Sequence, residues 1–238
     1  MRNITTIFIL LNCIFSYCQS LNLNQSHIED YFRTQQLLGN LDSKKSFTIK
    51  PFSYSTDNQE KLSFKVADLN KSIVKKNKFK IELLPIDLSA EYNSLHPYNR
   101  NNGSLIPNRG FQQLVSLGFF SKIGPLEITI KPEYHYAQNL DYAGFWDGHY
   151  DQIWAKRYDL WNRVDIPERF GEKSHSRFLL GQSSINLKFN NFTVGISNEN
   201  IWWGPSIRNS IMMSNQAEGF KHISIKTVEP INTPVGQF

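Results

Sequence analysis

The stretch LEITIKPEYHYAQ, Leu126 to Gln138, alternates in polarity residue by residue. Leu126, Ile128, Ile130, Pro132, Tyr134 and Tyr136 share one parity, and Glu127, Thr129, Lys131, Glu133 and His135 share the other. An extended chain sends successive side chains to opposite faces, so this pattern is that of a strand with one apolar and one polar face. The same period recurs on both sides. In KFKIELLPIDLSAEYNS, residues 78–94, Leu84, Ile86, Leu88, Ala90 and Tyr92 oppose Pro85, Asp87, Ser89, Glu91 and Asn93. In FLLGQSSINLKF, residues 178–189, Leu179, Ile185, Leu187 and Phe189 share a parity, and after Asn190-Asn191 so do Phe192, Val194 and Ile196. These strands run to about ten to fifteen residues, longer than the usual five or six of globular sheets and long enough to cross a bilayer at a tilt.

A soluble β-sandwich gives the same alternation, so the connections have to decide. They alternate in length: residues 94–108, 138–177 and 201–219 are long, whereas 122–125, 190–191 and 230–236 are short. Short turns on one side and long loops on the other are the arrangement of outer-membrane barrels. We therefore expect an all-β fold, an antiparallel transmembrane β-barrel, with Tyr92, Tyr134 and Tyr136 in an aromatic girdle at the outer strand ends. Only about six strands can be traced, fewer than the eight a single-chain barrel needs. An open sheet in lipid leaves edge amides and carbonyls unpaired, so the expectation is a partial barrel from a truncated product, or one completed by other chains.

The first residues, MRNITTIFILLNCIFSYCQS, have a basic start, an apolar run and small residues at Ser16 and Cys18. That is a secretory signal peptide over residues 1–18, cut before Gln19. Both cysteines, Cys13 and Cys18, would leave with it, which fits a Gram-negative envelope protein without disulfides. No later apolar run is long enough for a transmembrane helix. The net charge of +5 is spread along the chain and suits anionic polysaccharide or lipid headgroups rather than nucleic acid, for which no motif is present. Residues 26–40, SHIEDYFRTQQLLGN, read as a helix capped by Ser26 with Glu29 and stopped at Gly39-Asn40. Residues 19–77 then form a periplasmic helical lead-in or plug, with Lys71 to Lys80 a solvated connector, and the barrel occupies 78–238.

The unusual side chains gather in the long loops. YAGFWDGHYDQIWAKRYDLWNR, residues 142–163, places Trp146 and Trp154 among carboxylates and amides. ENIWWGPSIRNSIMMSN, residues 199–215, joins Trp202 and Trp203 to a Gly-Pro turn, Arg208, Asn209 and Asn215. Aromatic rings cover the apolar face of a sugar while polar groups take its hydroxyls, so these residues are polysaccharide-binding candidates. Packing of each loop on itself is the competing explanation. Asp147, His149 and Asp151 alternate but are too few for a convincing metal site, and we assign no metal or cofactor. Ser183 and Ser184 in GQSS do not form a nucleophile elbow. Arg169 is a further cation, with a salt bridge to the wall as its alternative role.

Several blocks taken in order resemble the capsule assembly (Wzi-like) outer-membrane proteins: YNSLHPYNRNNGSLIPNRGFQ (92–112), GPLEITIKPEYHYAQN (124–139), DIPERFG (165–171), GQSSINLKF (181–189), and ENIWWGPSIRNSIMMSN with EGFKHISIKTVEPINTPVGQF (199–238). The resemblance implies a periplasmic helical part before a large barrel, a place in the outer membrane, and a non-enzymatic role in attaching exported capsular polysaccharide. This chain is shorter than that family's barrel. The alternatives from other classes are a porin or transport channel and, more remotely, a barrel hydrolase.

Overall fold

The computed structural model describes residues 26–40, 47–51, 71–76, 79–164, 169–189, 192–206, 208–227 and 231–237. The expected signal peptide, most of the lead-in, the Asp165–Glu168 part of DIPERFG and the Asn190-Asn191 bend lie outside the described residues.

Helix α1 spans Ser26–Leu37. It ends three residues short of the expected stop because Gly39 turns left-handed at φ 73°. Gly39 N then donates to Gln36 O at 3.1 Å and Asn40 N to Gln35 O at 3.0 Å, a Schellman closure of the last turn. Strand β1, Ile49–Lys50, follows.

The main body is an antiparallel meander. Its strands are β2 (Lys71–Lys76), β3 (Phe79–Leu83), β4 (Asp87–Tyr98), β5 (Asn108–Ser116), β6 (Phe119–Ile123), β7 (Leu126–Ile130), β8 (Glu133–Ala137), β9 (His175–Leu179), β10 (Ser184–Phe189), β11 (Phe192–Ser197) and β13 (His222–Thr227). Between the last two lies β12, Trp202–Trp203, and the hairpin β14 (Asn232–Thr233) and β15 (Gly236–Gln237) follows. One sheet of seven strands runs β13-β11-β10-β7-β6-β3-β2, and one of four runs β4-β5-β8-β9. The second continues the first: each of its strands extends a strand of the larger sheet, with the same neighbours.

The runs read as single strands are thus each bent once, and the bends line up across the sheet. Pro85 and Pro132, which cannot donate to a ladder, sit in two of them. Gly118 and Gly181 sit in the others, where a Cβ would come within 2.1 Å of Ile130 O and 2.5 Å of Lys131 O. Bonds still cross the line: Leu84 N donates to Gly118 O at 2.9 Å and Gln182 N to Lys131 O at 3.0 Å.

The antiparallel all-β class is as expected. A closed barrel is not formed: β2 and β13 are the edges, and no pairing joins them among the described residues. The Lys-rich stretch from Lys71 is not a solvated connector; it pairs with β3 from Lys71↔Leu83 to Lys76↔Phe79, with an irregularity between Ser72 and Val74. The meander accordingly has seven strands, one more than the sequence shows. The long connection after β8 contains an unforeseen helix, α2, Asp151–Val164.

The two faces of the sheet are inverted relative to a water-soluble protein. Cross-strand rows such as Leu88↔Val115↔Tyr134↔Phe178 and Ile185↔Ile196↔Ile223 lie on the exposed face. Phe178 is 75% exposed and Ile223 74%. Rows such as Ser89↔Leu114↔His135↔Arg177 and Glu91↔Gln112↔Ala137↔His175 lie on the other. There Lys131, His135, Gln112 and Asn108 are among the largest fully buried side chains. Parity carries through the β7–β8 bend, where Ile130 and Tyr134 face out while Lys131, Glu133 and His135 face in. It shifts by one at two others: Leu84 is covered whereas Ile86 and Leu88 are exposed, and Leu179 lies in the row of Glu133 whereas Ser184 lies in that of Thr129. Burial of Lys and His with exposure of Ile and Phe is the reverse of the usual preference.

Candidate functional site

The covered face is held by paired polar groups. Lys131 forms an ion pair with Asp87. Glu133 accepts from Ser104 Oγ and, at 3.0 Å, from Gln182 Nε2, which also donates to Asn200 Oδ1 at 2.8 Å. Between them lies a polar pocket with about 400 Å³ of free space including its mouth, lined by residues such as Asp87, Ser89, Glu133, Asn200 and Asn215. On the lower part of the same face Glu127 bridges Lys122 and Lys188, each at 3.1 Å.

The connection 99–107 folds onto this face instead of standing clear of it. Ser104, Leu105 and Ile106 are buried. Gln112 grips the loop backbone, donating from Nε2 to Ile106 O at 2.9 Å and accepting from Ile106 N at 3.3 Å. The loop also meets the segment after the tryptophan pair. Gly103 N donates to Asn215 O at 2.8 Å, Asn215 Nδ2 to Asn101 O at 3.1 Å, and Asn101 Nδ2 to Arg208 O at 2.8 Å. Arg100 reaches Asn209 Oδ1 at 3.1 Å. Asn215 is buried in this junction, whereas Arg208 and Asn209 are exposed.

Trp202 and Trp203 belong to a different contact. They form β12 and pair with β1 in the register Ile49↔Trp203 and Lys50↔Trp202. Gly204 N donates to Thr48 O at 2.7 Å. Trp202 is 3% exposed. Its indole donates to Ser206 O at 2.9 Å, and the Lys50 ammonium lies 5.6 Å from its ring centre. Lys50 is also paired with Glu29 of α1, which pairs with Arg33, and Arg33 donates to Pro205 O at 3.3 Å. The tryptophan pair is therefore where the amino-terminal segment docks. Trp203 keeps an exposed face and Trp202 does not.

Trp146 and Trp154 form a second group, in the excursion between β8 and β9. Trp154 stacks on Tyr158 at 5.7 Å and meets Phe145 edge-on at 5.0 Å. Phe145 carries Arg157 at 4.2 Å. His149 is flanked by Phe145 and Trp146, at 4.4 and 5.2 Å. The loop thus packs on itself, yet leaves Trp146 69% exposed and Tyr158 59% exposed. Its neck is tied by Asn139, which donates from Nδ2 to the carbonyls of Phe170, Gly171 and Lys173 at 2.9 to 3.1 Å. Arg169 is bound at the same neck, to Asp141 at 3.0 Å and Asn139 O at 3.2 Å.

The expected candidates fall into three neighbourhoods: Arg208, Asn209 and Asn215 at the junction with loop 99–107, Trp202 and Trp203 at the joint with β1, and Trp146 and Trp154 in the excursion. No His, Cys, Asp and Glu group of three or more able to hold a metal occurs among the described residues. Ser183 serves the strand bend, donating to Leu180 O at 2.6 Å and accepting from Lys131 N at 3.0 Å. The residues that sequence reasoning passed over are Lys50, Gln112, Glu133 and Asn139. Glu133 and Asn139 lie on or at the end of an alternating run, where a polar residue of the apolar set's opposite parity marks the covered face; Gln112 shares its face with the apolar Leu114, so neither it nor Lys50 carries that signal.

Residues 93–237, more than half of the chain, match the family model described as Capsule assembly protein Wzi. No curated protein and no solved structure matches. The match begins within β4 and takes in the loop 99–107, the excursion with α2, and the tryptophan pair with its continuation; this chain belongs to the Wzi capsule assembly family.

Proposed function

We propose that the chain forms part of an outer-membrane β-wall and acts in capsule assembly without catalysis, holding exported polysaccharide at the cell surface. The observation that carries this reading is the inversion of the two faces. In water, each large apolar side chain of the exposed rows would forgo about 1.5–3 kcal/mol of burial; in hydrocarbon that loss disappears. The polar rows then line the protected interior, where their ion pairs and hydrogen bonds satisfy one another. The free edges of β2 and β13 require further strands in a bilayer, because unpaired backbone groups there cost several kcal/mol each. Export through a cleaved signal peptide, residues 1–18, belongs to the same proposal.

Family membership supports the capsule role. Within that role, exposed Trp146, Trp203, Arg208 and Asn209 supply the rings and donors for a sugar chain. Trp154, Trp202 and Asn215 stand behind them and fix the two loops. A transport channel has less support, since the loop 99–107 lies across the polar face. The test is cell-bound capsule in a deletion strain complemented with wild type, Trp146→Ala or Trp203→Ala. We expect capsule to be shed into the medium in the deletion strain and retained less in both variants. Full retention in the deletion strain refutes the role, and full retention in both variants refutes the assigned residues.

A further inference from the structure

We infer that His135 and His175 form a two-imidazole site for a divalent first-row transition-metal ion. Their ring centres lie 5.8 Å apart on neighbouring strands of the covered face. Two imidazoles bound to one ion through bonds of about 2.1 Å bring their ring centres roughly 5 to 6.5 Å apart. His135 is 1% exposed, and its Nδ1 is buried without a hydrogen-bond partner; so is Nε2 of His175. A buried polar atom left in this way calls for a missing partner.

The tautomer of His135 follows from its surroundings. His135 Nε2 lies 3.3 Å from Gln112 Oε1. The Gln112 amide is oriented by Ile106, whose N–H points at Oε1 and whose carbonyl receives Nε2. Gln112 therefore presents an acceptor to the ring, so the His135 proton sits on Nε2 and Nδ1 offers a bare lone pair. A ligating imidazole whose other N–H is held by a carbonyl is the recurrent arrangement at metal sites. Phe170, with its ring centre 5.4 Å from that of His175, forms an apolar wall beside the pair. No third protein ligand joins them among the described residues, so water completes the shell. Arg177, ion-paired with Glu218 at 2.9 Å, is the nearest cation in the row. Its charge opposes a bound cation and keeps the site modest in affinity.

The test is calorimetric titration of the tag-free full chain in detergent with Ni²⁺ or Zn²⁺ alone. We expect one ion per chain. His135→Ala and His175→Ala should each weaken binding more than about tenfold, and Gln112→Met about tenfold through loss of the oriented ring. Arg177→Gln, at an exposed position that does not endanger folding, should tighten binding about threefold or more by removing a like charge. His149→Ala, in the aromatic loop, should leave it unchanged. No binding by wild type, unchanged affinity in His175→Ala, or weaker binding in Arg177→Gln overturns the site.

Discussion

An arginine placed at Ile130 separates a sheet in hydrocarbon from one in water. The outward positions of β7 and β8 run from Leu126 to Tyr136. About ten steps of roughly 3.3 Å, tilted near 40°, rise roughly 25 Å, the height of the apolar band of a membrane barrel. Ile130 lies near the middle of that rise and is 43% exposed. Ile130→Arg then costs about 2–4 kcal/mol in a bilayer, while Leu126→Arg and Tyr136→Arg, close to the interfaces, cost about 0–1 kcal/mol. If water bathed this face, all three changes would stay within about 0.5 kcal/mol. The assay is reversible urea unfolding from lipid vesicles, with whatever strands complete the wall present in every sample. A profile peaking at Ile130 supports the membrane reading. A flat profile, or a variant that is monomeric and soluble without detergent, refutes it.

Two further changes probe the loops. Asn139→Ala removes the three bonds that tie the neck of the excursion and should destabilise it by about 2–3 kcal/mol. Faster amide exchange across α2 with unchanged protection in β10 and β11 is the expected result, and an unaltered α2 contradicts it. Lys50→Met removes the cation shared by Glu29 and Trp202. We expect α1 to lose protection first, by more than about 1 kcal/mol, while the main sheet keeps its own; equal protection of α1 in both proteins would show that β1 pairing and the Arg33 bond to Pro205 O hold it without Lys50.

Much of this architecture is readable from residue order. Leu126, Ile128 and Ile130 alternate with Glu127 and Thr129, and that period alone separates the two faces. Which face turns outward came from strand length and loop asymmetry, and the burial of Lys131 and His135 agrees with it. The bends were not readable as bends. Pro85 and Pro132 mark them, but their alignment depends on Gly118 and Gly181 meeting neighbouring carbonyls, a contact between distant parts of the chain. β2 was missed because Lys71, Ser72, Ile73, Val74, Lys75 and Lys76 do not alternate, and a shift in register interrupts its pairing between Ser72 and Val74. α2 left a signal that went unused: Asp151 in its first turn and Arg163 in its last complement the helix dipole. The pairing of Ile49 with Trp203 spans most of the chain, and no local pattern encodes it. For that reason the tryptophan pair looks like an open platform in the sequence and is half a docking joint in the fold.

The inverted faces also bear on how such a chain can drift over generations. On the membrane reading proposed above, these rows meet hydrocarbon, which has no fixed shape, so Ile185, Ile196 and Ile223 can exchange for Leu, Val or Phe without a compensating change elsewhere. Lys131 has no such latitude, because it is fully buried and replacing it removes the charge paired with Asp87. Divergence should therefore accumulate on the greasy outside as interchange within one chemical type, and on the inside only as coordinated swaps between strands.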